Sequence, residues 1–155
     1  MKLASEDEFI RGAIAGSISA IAICLALEVL EKFSLVEHCW LFMAGEAVMQ
    51  FKHSIWQAVF AFLIHLGVGV FWGVIIAFLF SKVFSDRYYI LKGLVFGLTI
   101  FFLHLGLLDK ALHYPAKMRE ETLTVFFIFL SYLLYGMLTA FILKKVPGKE
   151  QVRGG

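Results

Sequence analysis

Apolar positions along this chain gather into four long continuous runs, with neither the strict alternation of a half-buried strand nor a stripe that returns only every third or fourth residue. The first run goes from Gly12 to about Leu30 and meets no charge before Glu28. The second, Ser54 to Phe80, carries no charge at all. The third, Tyr88 to Leu108, is interrupted only by Lys92, close enough to its start to reach an interface. The fourth, Thr122 to Leu143, is again uncharged. Crossing about 30 Å of hydrocarbon at about 1.5 Å per residue takes about 20 residues, which each run supplies. Lipid offers no partner to a bare peptide group, so each run must close its own hydrogen bonds as a helix. The pattern predicts transmembrane helices over 10–30, 54–80, 88–109 and 122–144. The fold class expected is all-α: an integral membrane four-helix bundle, residues 1–155 forming one membrane domain. An outer-membrane barrel is excluded, because its strands would alternate.

Between the first two runs lies Trp40-Leu-Phe-Met-Ala-Gly-Glu-Ala-Val-Met, apolar but too short to cross. It reads as a short amphipathic or interfacial helix in the first outer loop, with Trp40 and Trp56 at headgroup depth and Tyr88 and Tyr89 at the other interface. Lys2, Arg11, Lys82, Arg87, Lys92, Lys144, Lys145, Lys149 and Arg153 flank one side, against Lys32, Lys52, Lys110, Lys117 and Arg119 on the other. That bias predicts both termini in the cytoplasm.

Composition agrees with a bilayer as solvent. The 155 residues are 61% apolar and 17% charged, too little polar surface to cover a water-soluble globule. The basic residues sit at span ends and form no phosphate-tracking face, so nucleic acid is not an expected partner. The lipid bilayer is, and a second copy or a larger membrane complex is open. Cys24 and Cys39 have no metal or redox spacing and are expected as free thiols, with a disulfide between them as the alternative. No internal repeat stands out.

Small residues recur at four-residue spacing. Gly12 and Gly16 precede Ala20 in the first run; Ala61, Gly69, Gly73 and Ala77 follow in the second, Gly93 and Gly97 in the third, and Gly136 stands in the fourth. Such positions let helix backbones approach where lipid provides no hydrophobic drive, so they are expected to be the packing faces, most of them in the cytoplasmic half. Polar groups segregate toward the other half. His53, Gln57, His65, Gly69 and Gly73 share one slanting stripe, with His65 about 15 Å into its span at 1.5 Å per residue. The expected result is a crevice facing outward, its candidate ligand-binding lining being Glu28, His65, His104, Asp109, Tyr132 and Tyr135, with Thr139 offering a further hydroxyl.

His65 and His104 invite a metal or haem reading, since facing imidazoles are common ligands. Their depths differ, however, and no second pair backs them, so hydrogen-bonded histidines are the plainer expectation and no cofactor is expected. Glu28 reads either as a coupling carboxylate or as an interfacial group beside Glu31. Catalysis finds little footing: the serines lack a GxSxG context, HExxH is absent, and there is no phosphate-cradling loop. The chain contains no asparagine, unlike the four-span lipoprotein signal peptidases, whose paired aspartates sit in Asn-containing motifs, and it lacks the cysteine pairs of quinone-linked thiol oxidases.

Three stretches carry a family resemblance: Phe9-Ile-Arg11-Gly12-Ala-Ile-Ala15-Gly16, Gly73-Val-Ile-Ile-Ala77-Phe-Leu and Tyr89-Ile-Leu-Lys92-Gly93-Leu-Val-Phe96-Gly97. Over about residues 9 to 145 the chain resembles a group of small four-span bacterial inner-membrane proteins of uncharacterised role. The resemblance implies the four-span fold and a bacterial cytoplasmic membrane, and brings no substrate, cofactor or catalytic residue. The expected role is therefore non-enzymatic: an accessory or scaffold protein of a membrane complex. Binding or transport of a small molecule, proton or metal ion is the alternative, and a haem- or metal-binding redox subunit the third.

Overall fold

The computed structural model describes residues 2–36, 54–83, 87–108 and 122–146. They form four helices: α1 (Lys2–Lys32), α2 (Ile55–Lys82), α3 (Tyr89–Phe101, continued as a π-helical segment Phe102–Leu108) and α4 (Thr122–Lys145). Each contains a stretch long and apolar enough to cross a bilayer, with mean hydropathy of 2.0 to 2.4. The chain is a multi-pass membrane protein built as an all-α four-helix bundle. The interfacial helix expected around Trp40 lies outside the described residues, as do Cys39, His53, Asp109 and His113.

The termini of the helices follow from local chemistry. Helix α1 starts at Lys2 rather than at residue 10, adding polar turns below the apolar run, where Arg11 pairs with Glu8 at 2.7 Å. At its other end Ser34 takes a left-handed φ of 56°, and Leu35 N–H reaches back to Leu30 O (3.0 Å) while Ser34 N–H reaches Glu31 O (2.8 Å). This is a Schellman ending, with serine where glycine is the usual residue. Helix α2 opens on a capping box: Ser54 Oγ accepts from Gln57 N–H at 3.3 Å, and Gln57 Oε1 accepts from Ser54 N–H at 3.4 Å. Gln57 therefore serves the helix start rather than a polar stripe running inward.

Glycine decides which helices pair. A Cβ on Gly12 would lie 2.6 Å from Val74 Cα, and one on Gly73 would lie 2.6 Å from Gly16 Cα. Gly16 and Gly69 meet backbone to backbone in the same seam, which Ala20 continues. The second seam repeats the device. A Cβ on Gly93 would lie 2.8 Å from Ala140 Cβ, one on Gly97 would lie 2.9 Å from Leu133 Cα, and Gly136 faces both glycines. Thus Arg11-Gly12-xxx-Gly16 on α1 faces Gly69, Gly73 and Ala77 on α2, and Lys92-Gly93-xxx-Gly97 on α3 faces Gly136 and Ala140 on α4. The molecule is two antiparallel hairpins zipped by the same pattern. Different loop lengths put the two copies out of step in the sequence, which hides the repetition.

The hairpins join mainly along α1 and α4, while α2 and α4 approach at a few points. At the end where α1 begins and α4 finishes, here called the base, Arg11 donates to Leu143 O in the last turn of α4 (2.8 Å) and to Val146 O just past it (2.7 Å). A cation on the last carbonyls of a helix satisfies orphan acceptors and favours the dipole. The α2–α3 side is different. There the backbones stay apart, and contact runs through long side chains such as the Phe80–Phe96 ring pair at 6.0 Å.

Candidate binding cavity between the hairpins

The open α2–α3 side leaves space inside the bundle. A cavity of about 50 Å³ lies near the middle of the spans, walled by both hairpins. Ala20, Ile23 and Leu27 come from α1; His65, Val68, Gly69 and Trp72 from α2. Ile100 and His104 come from α3; Ile128, Ser131, Tyr132 and Tyr135 from α4. Four of the six candidate residues, His65, His104, Tyr132 and Tyr135, thus meet at one place. Glu28 is half-buried near the top of α1 and does not line the cavity, and Thr139 is buried in the core away from it. Asp109 lies outside the described residues.

One polar relay crosses the open side. Trp72 Nε1–H donates to His104 Nε2 at 3.0 Å, and His104 Nδ1 stands 2.7 Å from the Tyr132 hydroxyl. Indole can only donate, so Nε2 is an acceptor and the neutral ring carries its proton on Nδ1, donating to Tyr132. The relay runs in one direction, from α2 through α3 to α4. His104 occupies the π-helical segment, whose wider turn re-aims the ring relative to a continuous α-helix. Thr99 Oγ1 donates back to Val95 O at 2.8 Å just before the change, the kind of local competition that bends helices.

The remaining polar groups are engaged with backbone. Tyr135 O–H donates to Gly69 O at 2.5 Å, across the two hairpins. His65 Nε2 donates to Ala20 O at 3.2 Å, within the first hairpin. Ser131 Oγ donates to Phe127 O of its own helix at 2.8 Å. Placing His65 and Tyr135 against bare carbonyls is possible because Ala20 and Gly69 present them without bulk.

This arrangement limits the chemistry. With both ring nitrogens committed, His104 keeps no lone pair for a metal, and His65 points its Nε2 proton at a carbonyl. Among the described residues no group of three or more His, Cys, Asp or Glu side chains could hold a metal ion. Among the described residues no serine or cysteine in the wall is paired with a base, and Cys24 is a buried free thiol outside the lining. Among the described residues no Asp, Glu, Lys or Arg lines the cavity either. A charged guest would lie there unpaired in low dielectric, at a cost of several kcal/mol.

Sequence reasoning missed Trp72 and Arg11. Trp72 sits one turn from Gly69 in a run of apolar residues, and only its partner's position makes it polar machinery. Arg11 was one more basic residue at a span end, and its acceptors lie 132 and 135 positions along the chain. No family model, curated protein or solved structure matches the chain.

Proposed function

We propose that this protein is a non-enzymatic membrane protein that holds a small uncharged molecule in the cavity between its hairpins. One observation carries the reading: a cavity at mid-span, walled by both hairpins and free of Asp, Glu, Lys and Arg among the described residues, with its polar groups set by bonds to neighbouring helices. The neutral wall favours an uncharged guest and disfavours ion or proton passage. Its 50 Å³ is below the 300–1,000 Å³ of drug-sized sites, so the guest is small and largely apolar. The absence of a base-paired nucleophile in the wall favours a binding role over catalysis.

The location that fits is a bacterial cytoplasmic membrane, in line with the resemblance to small four-span bacterial proteins. The base faces the cytosol in this reading, because it gathers Arg11, Lys82, Arg87, Lys92, Lys144 and Lys145. An accessory role in a larger complex is not favoured by a specific surface. Exposed apolar residues occur on all four helices, from Ile14 and Leu25 to Phe71, Val95 and Phe126, as a lipid boundary requires.

Native mass spectrometry of the chain released from membranes tests the reading. The wild type is expected to retain a small neutral adduct that is lost on Val68→Phe, which fills the cavity from a partly exposed position. A bare mass for the wild type, an adduct that survives Val68→Phe, or a charged adduct overturns it, and the first would return the accessory role to the front.

A further inference from the structure

Three of the four sides of the bundle are closely packed. The α1–α2 and α3–α4 sides are closed by glycine seams, and α1 packs against α4 on the third. On the fourth side the helix backbones stay apart and side chains reach across. Phe80 and Phe96 close it toward the base. Nearer mid-span, Trp72 and His104 close it with a single hydrogen bond, backed by ring contact at 5.8 Å. Val68 stands one turn further toward the top, and it belongs both to the cavity wall and, at 39% exposure, to the bilayer-facing surface. The cavity therefore abuts lipid beside the Trp72–His104 contact.

We propose that the guest enters from the bilayer between α2 and α3, and that the Trp72–His104 bond is the latch on that entrance. The inference rests on the binding role above and adds its source: a molecule dissolved in the membrane, not one delivered from water. Parting Trp72 from His104 leaves both glycine seams intact, since they lie on the other sides. The Arg11 bonds to the end of α4 hold the hairpins together at the base while the seam parts above. His104 sits on the π-helical turn, a local departure from the α-helix on which the latch is mounted. In hydrocarbon the open state leaves an indole N–H and an imidazole nitrogen without partners, so the closed state is favoured until a guest accepts the indole proton. That makes a hydrogen-bond acceptor, such as a carbonyl or ether oxygen, the expected polar feature of the guest.

Accessibility of a cavity cysteine tests the route in the full chain reconstituted in lipid. Ser131→Cys is placed on a background with both native cysteines changed to alanine. It is labelled with a neutral membrane-soluble maleimide and, separately, with a sulfonated impermeant thiol reagent. The maleimide is expected to react faster than the sulfonated reagent. Trp72→Phe and His104→Leu are expected to raise its rate about threefold to tenfold, the scale of one interhelical bond. His104→Gln keeps an acceptor for the indole and should stay near the parent rate. Thermal melts of each variant in detergent confirm that folded protein is being compared. Faster labelling by the sulfonated reagent overturns the bilayer route. Unchanged rates in both Trp72→Phe and His104→Leu, or a His104→Gln rate equal to His104→Leu, overturn the latch. An adduct that binds wild type and is lost on Val68→Phe would leave the cavity standing even then, so the two readings fail separately.

Discussion

Gly73 and Gly67 sit on the same helix, six residues apart, and have opposite surroundings. A Cβ on Gly73 would press on Gly16, at 2.6 Å from Cα and 2.8 Å from N, whereas a Cβ on Gly67 would meet nothing within 4 Å. Gly73→Ala is expected to lower stability by about 1–3 kcal/mol, because backbone on the facing helix cannot turn aside as a side chain does. Gly67→Ala should leave it unchanged or raise it by up to about 1 kcal/mol through helix propensity. Unfolding midpoints of the two variants in one detergent check both, and equal midpoints would remove the seam as a source of stability. The spacing of Gly12, Gly16, Gly69, Gly73, Gly93 and Gly97 was legible in the sequence, and all six pack between helices. That Gly67 and Gly106 do not was invisible there, since composition is the same and only the direction each faces differs.

At the scale of the element, helix ends show what local sequence can and cannot announce. The capping box at Ser54 and Gln57 is a local pattern with a local cause. The end of α4 is not, because its last carbonyls are met by Arg11 from the start of α1. Arg11→Gln is expected to cost about 1.5–3 kcal/mol, the range for hydrogen bonds to a charged group whose side chain is largely buried. Arg11→Lys should recover only part of it, since one ammonium cannot span Leu143 O, Val146 O and Glu8 together. Melting temperatures in detergent decide it; an Arg11→Lys midpoint equal to wild type would show that charge alone, without the planar fork, holds the base together. The π-helical continuation of α3 is a second feature beyond local reading. Phe102 to Leu108 is as apolar as the residues before it, and nothing in its periodicity marks the wider turn that carries His104.

For the whole molecule, an even number of spans puts both ends of the chain on one side, and the Arg11 contacts join the first helix to the last at that base. Reporter fusions at the two ends are expected to show cytoplasmic activity for both, and sulfonated thiol reagents added outside intact cells should label Ser34→Cys at the top. Labelling of Ser34→Cys only after the cells are opened would reverse the orientation while leaving the bundle as described. The two-hairpin plan also explains where the space is. Glycine draws α1 to α2 and α3 to α4 so closely that bulky side chains are turned to the other sides, and α2 and α3 then meet through rings such as Phe80 with Phe96 and Trp72 with His104.

Four apolar runs of sufficient length leave a chain in lipid one option, so the helices, their approximate ends and the all-α bundle follow from sequence alone. The small-residue stripes likewise mark packing faces wherever they are read, and the scarcity of charge names the solvent. Which face meets which is a matter of relative rotation between helices, and periodicity carries no information on that. Only the folded chain sets Trp72 against His104, aims His65 and Tyr135 at bare carbonyls, leaves Glu28 outside the cavity and brings Arg11 to the end of α4. Each of those contacts joins residues far apart along the chain, and their geometry exists only once the glycine seams have fixed how the hairpins stand.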